Sequence, residues 1–556
     1  GPLGHGVLFH DSFELHDVPP MAERAMRRWD ELKTRRSRHE TMWEDIARLM
    51  RPQRGNFRQG PGVQRDFEKP LSSEPIMAAS SYAAGIYSSI TNPANRWGGL
   101  ETPDADFNKW QPMAEWNDHA TQKVLASFGA SVSSFYKATY QAYADIACFG
   151  NAAGYDEVDE ANRRFVDVTM SLAEVVVDID AHGRVVELVR KYTLKPAAAL
   201  RTYGEQRLPA KVVELAESSP STDLVFFYHI LPNDQFVKGK LGHRGKKWLA
   251  VTCCELEQAL VKVGGHDDMP GYFPRWDVDS GETYGTGQGF IALPSARAHQ
   301  LMEAATMRAA QFAADPTKLA PDRRAVPLNG TFRPGGIVYG AVDMQARARV
   351  RNMEHSTNIG LTETEKRAKL EEVKNAFQYA VMTLVGRTGV TEEETRLMEE
   401  AQLRNWAPNA DRVMEEYGAR KFERRFKLLY RLGQIKPPPA EAAGRPLRVR
   451  YQSMATMALR AREGQAIRQF LSDLGPLTQL DPRYLDRLDP DAVAEALHEA
   501  SPSLPASILR SREEANQLAD ERAQQQQQAQ ALEAAQAAGG IAKDLGVTLG
   551  QEEMTA

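Results

Sequence analysis

Residues 294–312, PSARAHQLMEAATMRAAQF, decide the predicted architecture, because they form a helix that is rich in alanine and polar on nearly every face. A second predicted helix, 362–382, reads TETEKRAKLEEVKNAFQYAVM, and a Pro/Gly-rich block at 315–358 lies between the two. Alanine allows close helix approach, and a helix without a wide apolar stripe usually packs beside its own copies or spans between domains. Closed rings arise from head-to-tail interfaces, so a ring of such helices is one natural arrangement.

Upstream of this pair the chain changes from helical to strand-rich. Apolar residues at helical spacing predict helices over 22–50, 72–90 and 113–143. After Gly150, β-branched runs between turn signals predict strands at 165–170, 174–179, 185–192, 223–230 and 247–253. We therefore expect the first half of the chain to be an α+β unit.

Downstream of the pair the sequence is almost entirely helical. Thr391 and Glu394 have the spacing of a capping box, which predicts the start of a long helix towards Leu432 with a kink at Pro408. Three prolines at 437–439 end it, and shorter helices follow. The Gln/Ala-rich tail at 524–538 predicts either a frayed end or part of a multi-chain helical bundle.

Length and charge restrict the classes of function. The 556 residues suggest roughly two to four domains, and 69 Lys and Arg against 74 Asp and Glu give a formal net charge of −5. Proteins that grip nucleic acid through phosphate contacts are usually basic. The chain therefore either does not handle nucleic acid or handles it without holding it tightly.

The cysteines and the apolar runs argue against disulfide bridges, structural zinc and membrane-spanning segments. The three cysteines, Cys148, Cys253 and Cys254, form no CxxC pair, which argues against disulfides and structural zinc. No apolar run approaches the roughly 18 residues that span a bilayer. Residues 1–20 open with Gly-Pro-Leu-Gly and are expected to be leader residues before a native start at Met21.

Catalytic motifs are weak. Residues 285–289, GTGQG, miss the GxGxxG dinucleotide motif by one spacing and are better explained as a glycine-rich turn into a helix that opens at Pro294. The sequence has no GxxxxGK[ST] phosphate loop and no HExxH motif. We expect no catalytic residue, no metal and no cofactor, so the chain is not predicted to be an enzyme.

Several short motifs, in their order and spacing over most of 21–530, resemble the head-to-tail connecting (portal) proteins of podoviruses. Those before the helix pair are Arg28-Trp29 to Arg36, Arg51-Pro52, Ala83 to Trp97, and Pro274 to Gly285. The most specific is 387–394, RTGVTEEE, which is placed like the family's tunnel loop followed by its capped long helix. Each motif alone is weak, and their combination carries the resemblance.

The resemblance implies a mainly helical α+β portal fold that forms rings. Its implied divisions are a leader (1–20), an α+β wing (21–285), a first stem helix (286–314), a clip (315–358), a second stem helix (359–382), a tunnel loop (383–390), a long wing helix (391–435), a crown (436–520) and a tail (521–556) that is a helical barrel or disordered.

The implied function is a dodecameric ring at one capsid vertex, a conduit for double-stranded DNA during packaging and ejection. Implied partners are its own copies, the large terminase, tail adaptor or nozzle proteins, capsid and scaffolding proteins, internal core proteins and the DNA. The implied location is the virion, after assembly in the host bacterial cytoplasm. The alternatives are a tail or adaptor component and, from another class, a nucleotide-cofactor-dependent enzyme.

The resemblance also implies site residues. For the DNA channel they are Arg387 and Thr388 of the tunnel loop and Lys366, Lys369 and Lys374 of the second stem helix. An equally good explanation of the three lysines is pairing along the helix with Glu363, Glu365, Glu371 and Glu372. The clip residues Lys318, Arg323, Arg324 and Arg333 are expected either to contact terminase or adaptor or to make ordinary intersubunit or solvent contacts.

Overall fold

The computed structural model describes residues 20–55, 57, 69–94, 96–159, 162–320, 343–345, 347–348, 350–352, 359–382, 391–451, 454–481, 483–501, 504 and 506–552. These form two compact units. The N-terminal unit comprises the described residues up to Trp97 together with Ala126–Arg425, and the C-terminal unit comprises Gly98–Leu125 with the described residues from Phe426 onward.

Helices make up most of the described chain. They are α1 Met21–Met50, α2 Glu74–Ile90, α3 Ala105–Lys109, α4 Gln111–Ser127, α5 Phe135–Phe149, α6 Pro196–Tyr203, α7 Ala210–Ser218, α8 Gln288–Ala314, α9 Ile359–Ala376, α10 Tyr379–Met382, α11 Glu392–Val413, α12 Ala419–Arg431, α13 Met454–Leu480, α14 Arg483–Asp486, α15 Pro490–Glu499 and α16 Arg512–Glu552. A π-helical turn, Met414–Gly418, joins α11 to α12. No described helix is both long and apolar enough to cross a membrane.

The strands are short. They are β1 Gly98–Glu101, β2 Ala153–Asp159, β3 Arg164–Met170, β4 Val175–Ile179, β5 Val185–Leu194, β6 Leu224–Pro232, β7 Trp248–Cys254, β8 Ala259–His266, β9 Gly271–Tyr272, β10 Lys318–Leu319, β11 Arg351–Asn352 and β12 Arg448–Tyr451. They build a five-stranded sheet β4-β5-β6-β7-β8, a three-stranded sheet β3-β2-β9, and the ribbons β10-β11 and β1-β12. All these pairings are antiparallel. The mainly helical α+β class is confirmed.

Helix α1 covers one face of the five-stranded sheet. Its apolar positions, including Trp29 and Leu32, recur at helical spacing and are buried against alternate strand residues such as Phe227 and Val251. The rings of Trp29 and Phe227 meet edge to face, with centroids 6.4 Å apart. Further along α1, the buried Arg36 donates hydrogen bonds to the carbonyl oxygens of Leu172 (2.6 Å) and Val175 (2.7 Å), which ties the helix to the start of β4.

Three predicted helices differ from the structure, and one of them is the helix expected over 362–382, which is divided into α9 and α10. The helix expected over 113–143 is two helices, α4 and α5, with a turn at residues 128–134 between them. The helix expected to open at Pro294 begins at Gln288, so that expectation is wrong. The chain already turns at Gly285, whose N–H donates to Asn151 Oδ1 (2.7 Å) and whose carbonyl accepts from Asn151 Nδ2 (2.9 Å).

The glycines of 285–289 serve close packing. A Cβ atom on Gly289 would lie 2.1 Å from the carbonyl oxygen of Cys148, and one on Gly287 would lie 2.6 Å from that of Ile146. Side chains are therefore excluded where this turn crosses the end of α5. The motif needs glycine for this contact, so a cofactor loop is not required to explain it.

The C-terminal unit includes a segment from the first quarter of the chain. Strand β1 pairs with β12, residue Gly98 opposite Tyr451. In α4, Trp116 Nε1 donates to the carbonyl oxygen of Lys436 at 2.8 Å, and its ring lies edge to face with Phe426. Residues 98–125 were predicted to belong to the wing, and their grouping with the C-terminal unit was not predicted.

Candidate nucleic-acid interface

Helices α8 and α9 form an antiparallel pair. Gln288 Nε2, at the start of α8, donates to the carbonyl oxygen of Ala376 at the end of α9 (3.0 Å). Further along, Lys366 Nζ lies 3.1 Å from the Glu303 carboxylate. Beyond the helices, β10 pairs with β11, and Lys318 lies opposite Asn352. Segments near the two ends of the block predicted as a clip, 315–358, therefore pair with each other in a two-stranded ribbon.

The C-terminal half of α8 is largely exposed. Its buried residues, Gly289, Ala292, Leu293, Ala296 and His299, all lie in the first half of the helix. Beyond them, Leu301 is 72% exposed and Phe312 is 44% exposed. This agrees with the prediction of a helix that lacks a wide apolar stripe, and it leaves apolar side chains in contact with solvent in the single chain.

The three lysines predicted for the channel are all ion-paired. Lys366 Nζ lies 2.8 Å from Glu363 as well as near Glu303, and Lys369 Nζ lies 3.1 Å from Glu372. Hydrogen bonds to these carboxylates raise the pKa of Lys366.

Lys374 completes the set. Its Nζ lies 3.0 Å from Glu74 of α2 and 3.8 Å from Glu371, and the hydrogen bond to Glu74 raises its pKa. Glu363, Glu371 and Glu372 are the partners that the pairing alternative named. The three lysines of α9 are consequently compensated by carboxylates and are not free cations.

Of the predicted clip residues, Lys318 lies in β10, where its Nζ is 2.9 Å from Asp315. Arg323, Arg324 and Arg333 lie outside the described residues, as do Arg387 and Thr388 of the predicted tunnel loop. The helix after that loop begins as expected, because Thr391 Oγ1 accepts a hydrogen bond from the Glu394 N–H at 3.2 Å. The Thr half of the capping box is thereby confirmed.

Helix α12 carries a buried ion-pair cluster that the sequence analysis missed. Asp167 of β3 accepts from Lys421 Nζ (2.6 Å), Arg425 (3.1 Å) and Ser133 Oγ (2.8 Å). Burial alone would raise the pKa of Asp167, but the charges of Lys421 and Arg425 outweigh it and lower the pKa.

A second buried carboxylate extends the cluster. Arg424 Nε lies 2.6 Å from Asp156 of β2, which also accepts from the Tyr272 hydroxyl at 2.9 Å. About two turns earlier in the chain, Glu416 of the π-helical turn pairs with Arg275 at 2.7 Å. Structural ion-pair networks perturb pKa values as catalytic sites do, and these contacts anchor α12 to the sheet β3-β2-β9. The only sequence signal was the run of cations in residues 420–427, RKFERRFK.

The described residues contain no group of three or more side chains placed to hold a metal ion. The antiparallel sheets of the described strands also differ from the parallel sheet that a dinucleotide-binding enzyme of the GxGxxG type would need.

Residues 22–509 match the family of bacteriophage head to tail connecting proteins, and the chain belongs to this family. It is 24% identical to the portal protein of Salmonella phage epsilon15 over 95% of both chains. It is also 24% identical to the probable portal protein of Bordetella phage BPP-1, over 90% of this chain and 91% of that one. Portal proteins are structural, which supports the prediction that the chain is not an enzyme.

The chain also resembles chains from two solved assemblies, at 12% identity each. One is the virion of a native gene transfer agent particle, with a TM-score of 0.30 over 72% of this chain and 88% of that chain. The other is the neck of an empty gene transfer agent particle, with a TM-score of 0.35 over 77% and 93%.

Proposed function

We propose that this chain is a phage portal protein, which forms a dodecameric ring at one vertex of the capsid and passes double-stranded DNA during packaging and ejection. The family match over residues 22–509 carries the proposal, and the two portal relatives align with nearly the whole chain. In the host bacterial cytoplasm the ring assembles with capsid and scaffolding proteins, and it remains in the virion.

Within this proposal, α8 and α9 are the stem helices. The ribbon β10-β11 closes the base of a clip at 315–358, and residues 383–390 are the tunnel loop. The wing comprises 21–285 except for 98–125, which we group with the crown at 436–520 because of the β1-β12 pairing. The long helix 391–435 completes the wing, and the tail at 521–556 extends the crown.

The charge pattern of α9 suits a conduit. A protein that makes roughly six to ten phosphate contacts binds DNA tightly enough to resist its movement at moderate salt. Because Lys366, Lys369 and Lys374 are each paired with carboxylates, a ring of α9 helices would attract the duplex weakly. Contacts at the constriction would then come from Arg387 and Thr388.

The clip is the proposed docking site for other proteins of the vertex. Lys318, Arg323, Arg324 and Arg333 would contact the large terminase during packaging and the tail adaptor or nozzle proteins afterwards. Hydrolysis of ATP would occur in the terminase. Internal core proteins would be further partners of the ring.

Deleting residues 385–390 tests the conduit role. We expect the deleted chain to assemble as the complete chain does, while packaging or retention of DNA in procapsids falls. The matched control replaces the six residues with a Gly/Ser linker of equal length, which keeps the chain length but removes Arg387 and Thr388. Loss of assembly on deletion would show that the loop holds the ring together and would contradict the proposed role.

A further inference from the structure

The connection between β6 and β7 is unusually long for neighbouring antiparallel strands. It spans residues 233–247, whereas a hairpin of this kind needs roughly two to five loop residues. Long ordered loops of this type are usually functional. This segment, the β6–β7 loop, lies at the end of the sheet where β6 ends and β7 begins.

The β6–β7 loop is held in a defined shape by its own hydrogen bonds. Val237 N–H donates to the Arg244 carbonyl (2.8 Å), and Asn233 Nδ2 donates to the carbonyls of His243 (2.9 Å) and Lys246 (2.8 Å). Lys246 Nζ also pairs with Asp267 at 2.9 Å. The loop therefore presents a fixed surface rather than a frayed one.

That surface is apolar at its tip and basic around it. Leu241 is 84% exposed and Val237 is 48% exposed. The exposed side chains of Lys238, Lys240, Arg244 and Lys247 make no ion pair with any described residue. The loop carries five basic and one acidic side chain, a net charge of +4. An exposed apolar tip with unpaired charges around it is typical of an interaction surface.

The opposite end of the same sheet has the complementary character. There the turn between β7 and β8 exposes Glu255 and Glu257, neither of which forms an ion pair with a described residue. Leu260, just beyond this turn, is 41% exposed. The N–H of Glu255 donates to the Val225 carbonyl (2.9 Å), which places the turn beside the start of β6.

The connection through α6 and α7 reaches the same end of the sheet, because Leu194 pairs with Leu224. Residues 195–223 and 255–258 together carry six acidic and four basic side chains, a net charge of −2. The β6–β7 loop is thus basic, the connections at the opposite end of the sheet are acidic, and each region has an exposed leucine.

We infer that the β6–β7 loop of one copy docks on the β7–β8 turn, residues 255–260, of the next copy around the ring. Head-to-tail contacts that close a ring join two different surfaces of the same chain, as these two are. Lys238 and Lys240 meet Glu255 and Glu257, and Leu241 is covered by Leu260. The inference rests on the proposed ring and names one of its contacts.

Charge reversal on the full-length chain tests the contact. Lys238→Glu with Lys240→Glu should lower the assembled fraction, measured by mass photometry, by about tenfold or more, because like charges facing each other oppose association. Glu255→Lys with Glu257→Lys should do the same. Combining all four substitutions should restore assembly to within a few-fold of the unchanged chain.

The matched control reverses two other exposed lysines, Lys123→Glu with Lys137→Glu, which should leave assembly unchanged. Thermal unfolding of every variant should match the original chain, since all these side chains are exposed. Rings that survive the loop reversal, or a fourfold variant that stays unassembled, would overturn the inference and leave the proposed function standing. An original chain that never assembles, even with scaffolding protein, would overturn the proposed function itself.

Discussion

Helices α9 and α12 are both rich in ion pairs, yet these pairs lie in opposite environments. On α9, the partners of Lys369 and Lys374 are half-exposed glutamates. On α12, Lys421 and Arg425 meet an Asp167 side chain that is 0% exposed. The same residue types therefore balance the surface charge in one helix and determine the packing in the other.

The difference has an energetic consequence. An exposed ion pair contributes about 0–1 kcal/mol to folding, because water and salt screen it. Removing one partner of a buried pair costs about 3–5 kcal/mol, because the other charge remains without compensation. We therefore expect α12 to be intolerant of charge changes and α9 to tolerate them in folding.

The largest expected effect is that of Asp167→Ala. The substitution leaves Lys421 and Arg425 buried without a carboxylate and should lower the free energy of unfolding by about 3–5 kcal/mol. Urea unfolding followed by tryptophan fluorescence measures it. Asp315→Ala, which removes the partner of the more exposed Lys318, is the control and should cost less than about 1 kcal/mol. Equal losses in the two variants would abolish the distinction between the regions.

A smaller effect, on assembly, is expected from placing larger side chains on α8. Ala304→Leu with Ala305→Leu adds bulk where α8 is exposed or half-buried in the single chain. If copies of this helix pack together, overpacking should weaken assembly by about 1–3 kcal/mol and leave unfolding of the monomer unchanged. Light scattering against concentration measures it. Unchanged assembly would mean that these alanines do not face a neighbouring helix.

The stability of the N-terminal unit should depend on pH through Glu187, which accepts hydrogen bonds from Arg28 of α1. Burial alone would raise its pKa, but hydrogen bonds from His229 and Arg28 outweigh it and lower the pKa to about 2. The folded state thus binds this proton less readily than the unfolded chain, where the ordinary value is 4.5. Stability from this group is present above pH 4.5 and is lost as the pH falls towards 2.

The slope of that loss is at most about 1.4 kcal/mol per pH unit for one proton. Urea midpoints are measured from pH 5 down to roughly one to two pH units lower. Over this range the midpoint should fall less steeply for Glu187→Gln than for the original chain. Glu282→Gln, which removes an exposed carboxylate, is the control. An identical slope in Glu187→Gln would contradict the assigned pKa.

The smallest effect is expected on α9. Lys369→Ala removes an exposed pair with Glu372 and should change the free energy of unfolding by about 0–1 kcal/mol. The same urea titration measures it, and added salt should reduce the difference further. A loss comparable to that of Asp167→Ala would show that α9 is held as α12 is.

Much of the local structure was predictable from the sequence. The spacing of Trp29, Leu32 and Trp43 predicted α1, and the β-branched runs predicted β3 to β7, because burial of one face imposes these periods. The capping box at Thr391 was also visible, since it depends on residues that are close in sequence. Ion pairing of Lys366, Lys369 and Lys374 with glutamates of the same helix was also predictable as an alternative, because these partners lie three residues away in sequence.

Long-range contacts were not predictable. Asp167 and Lys421 are 254 residues apart, and no local pattern indicates that they meet. The same applies to β1 and β12, and to Gly289, whose requirement for glycine comes from the Cys148 carbonyl on another helix. These features depend on tertiary packing. The same is true of the start of α8, which lies at Gln288 and not at Pro294 as predicted.

The central claim is that copies of this chain form a ring around a passage for DNA. Electron-microscope class averaging of the purified full-length chain, with its mass from light scattering, tests it most directly. The proposal predicts rings with a central hole of about 20 Å or more, wide enough for a duplex. A chain that stays a compact monomer even with scaffolding protein would contradict it, and binding of a nucleotide cofactor by that monomer would support the enzyme alternative.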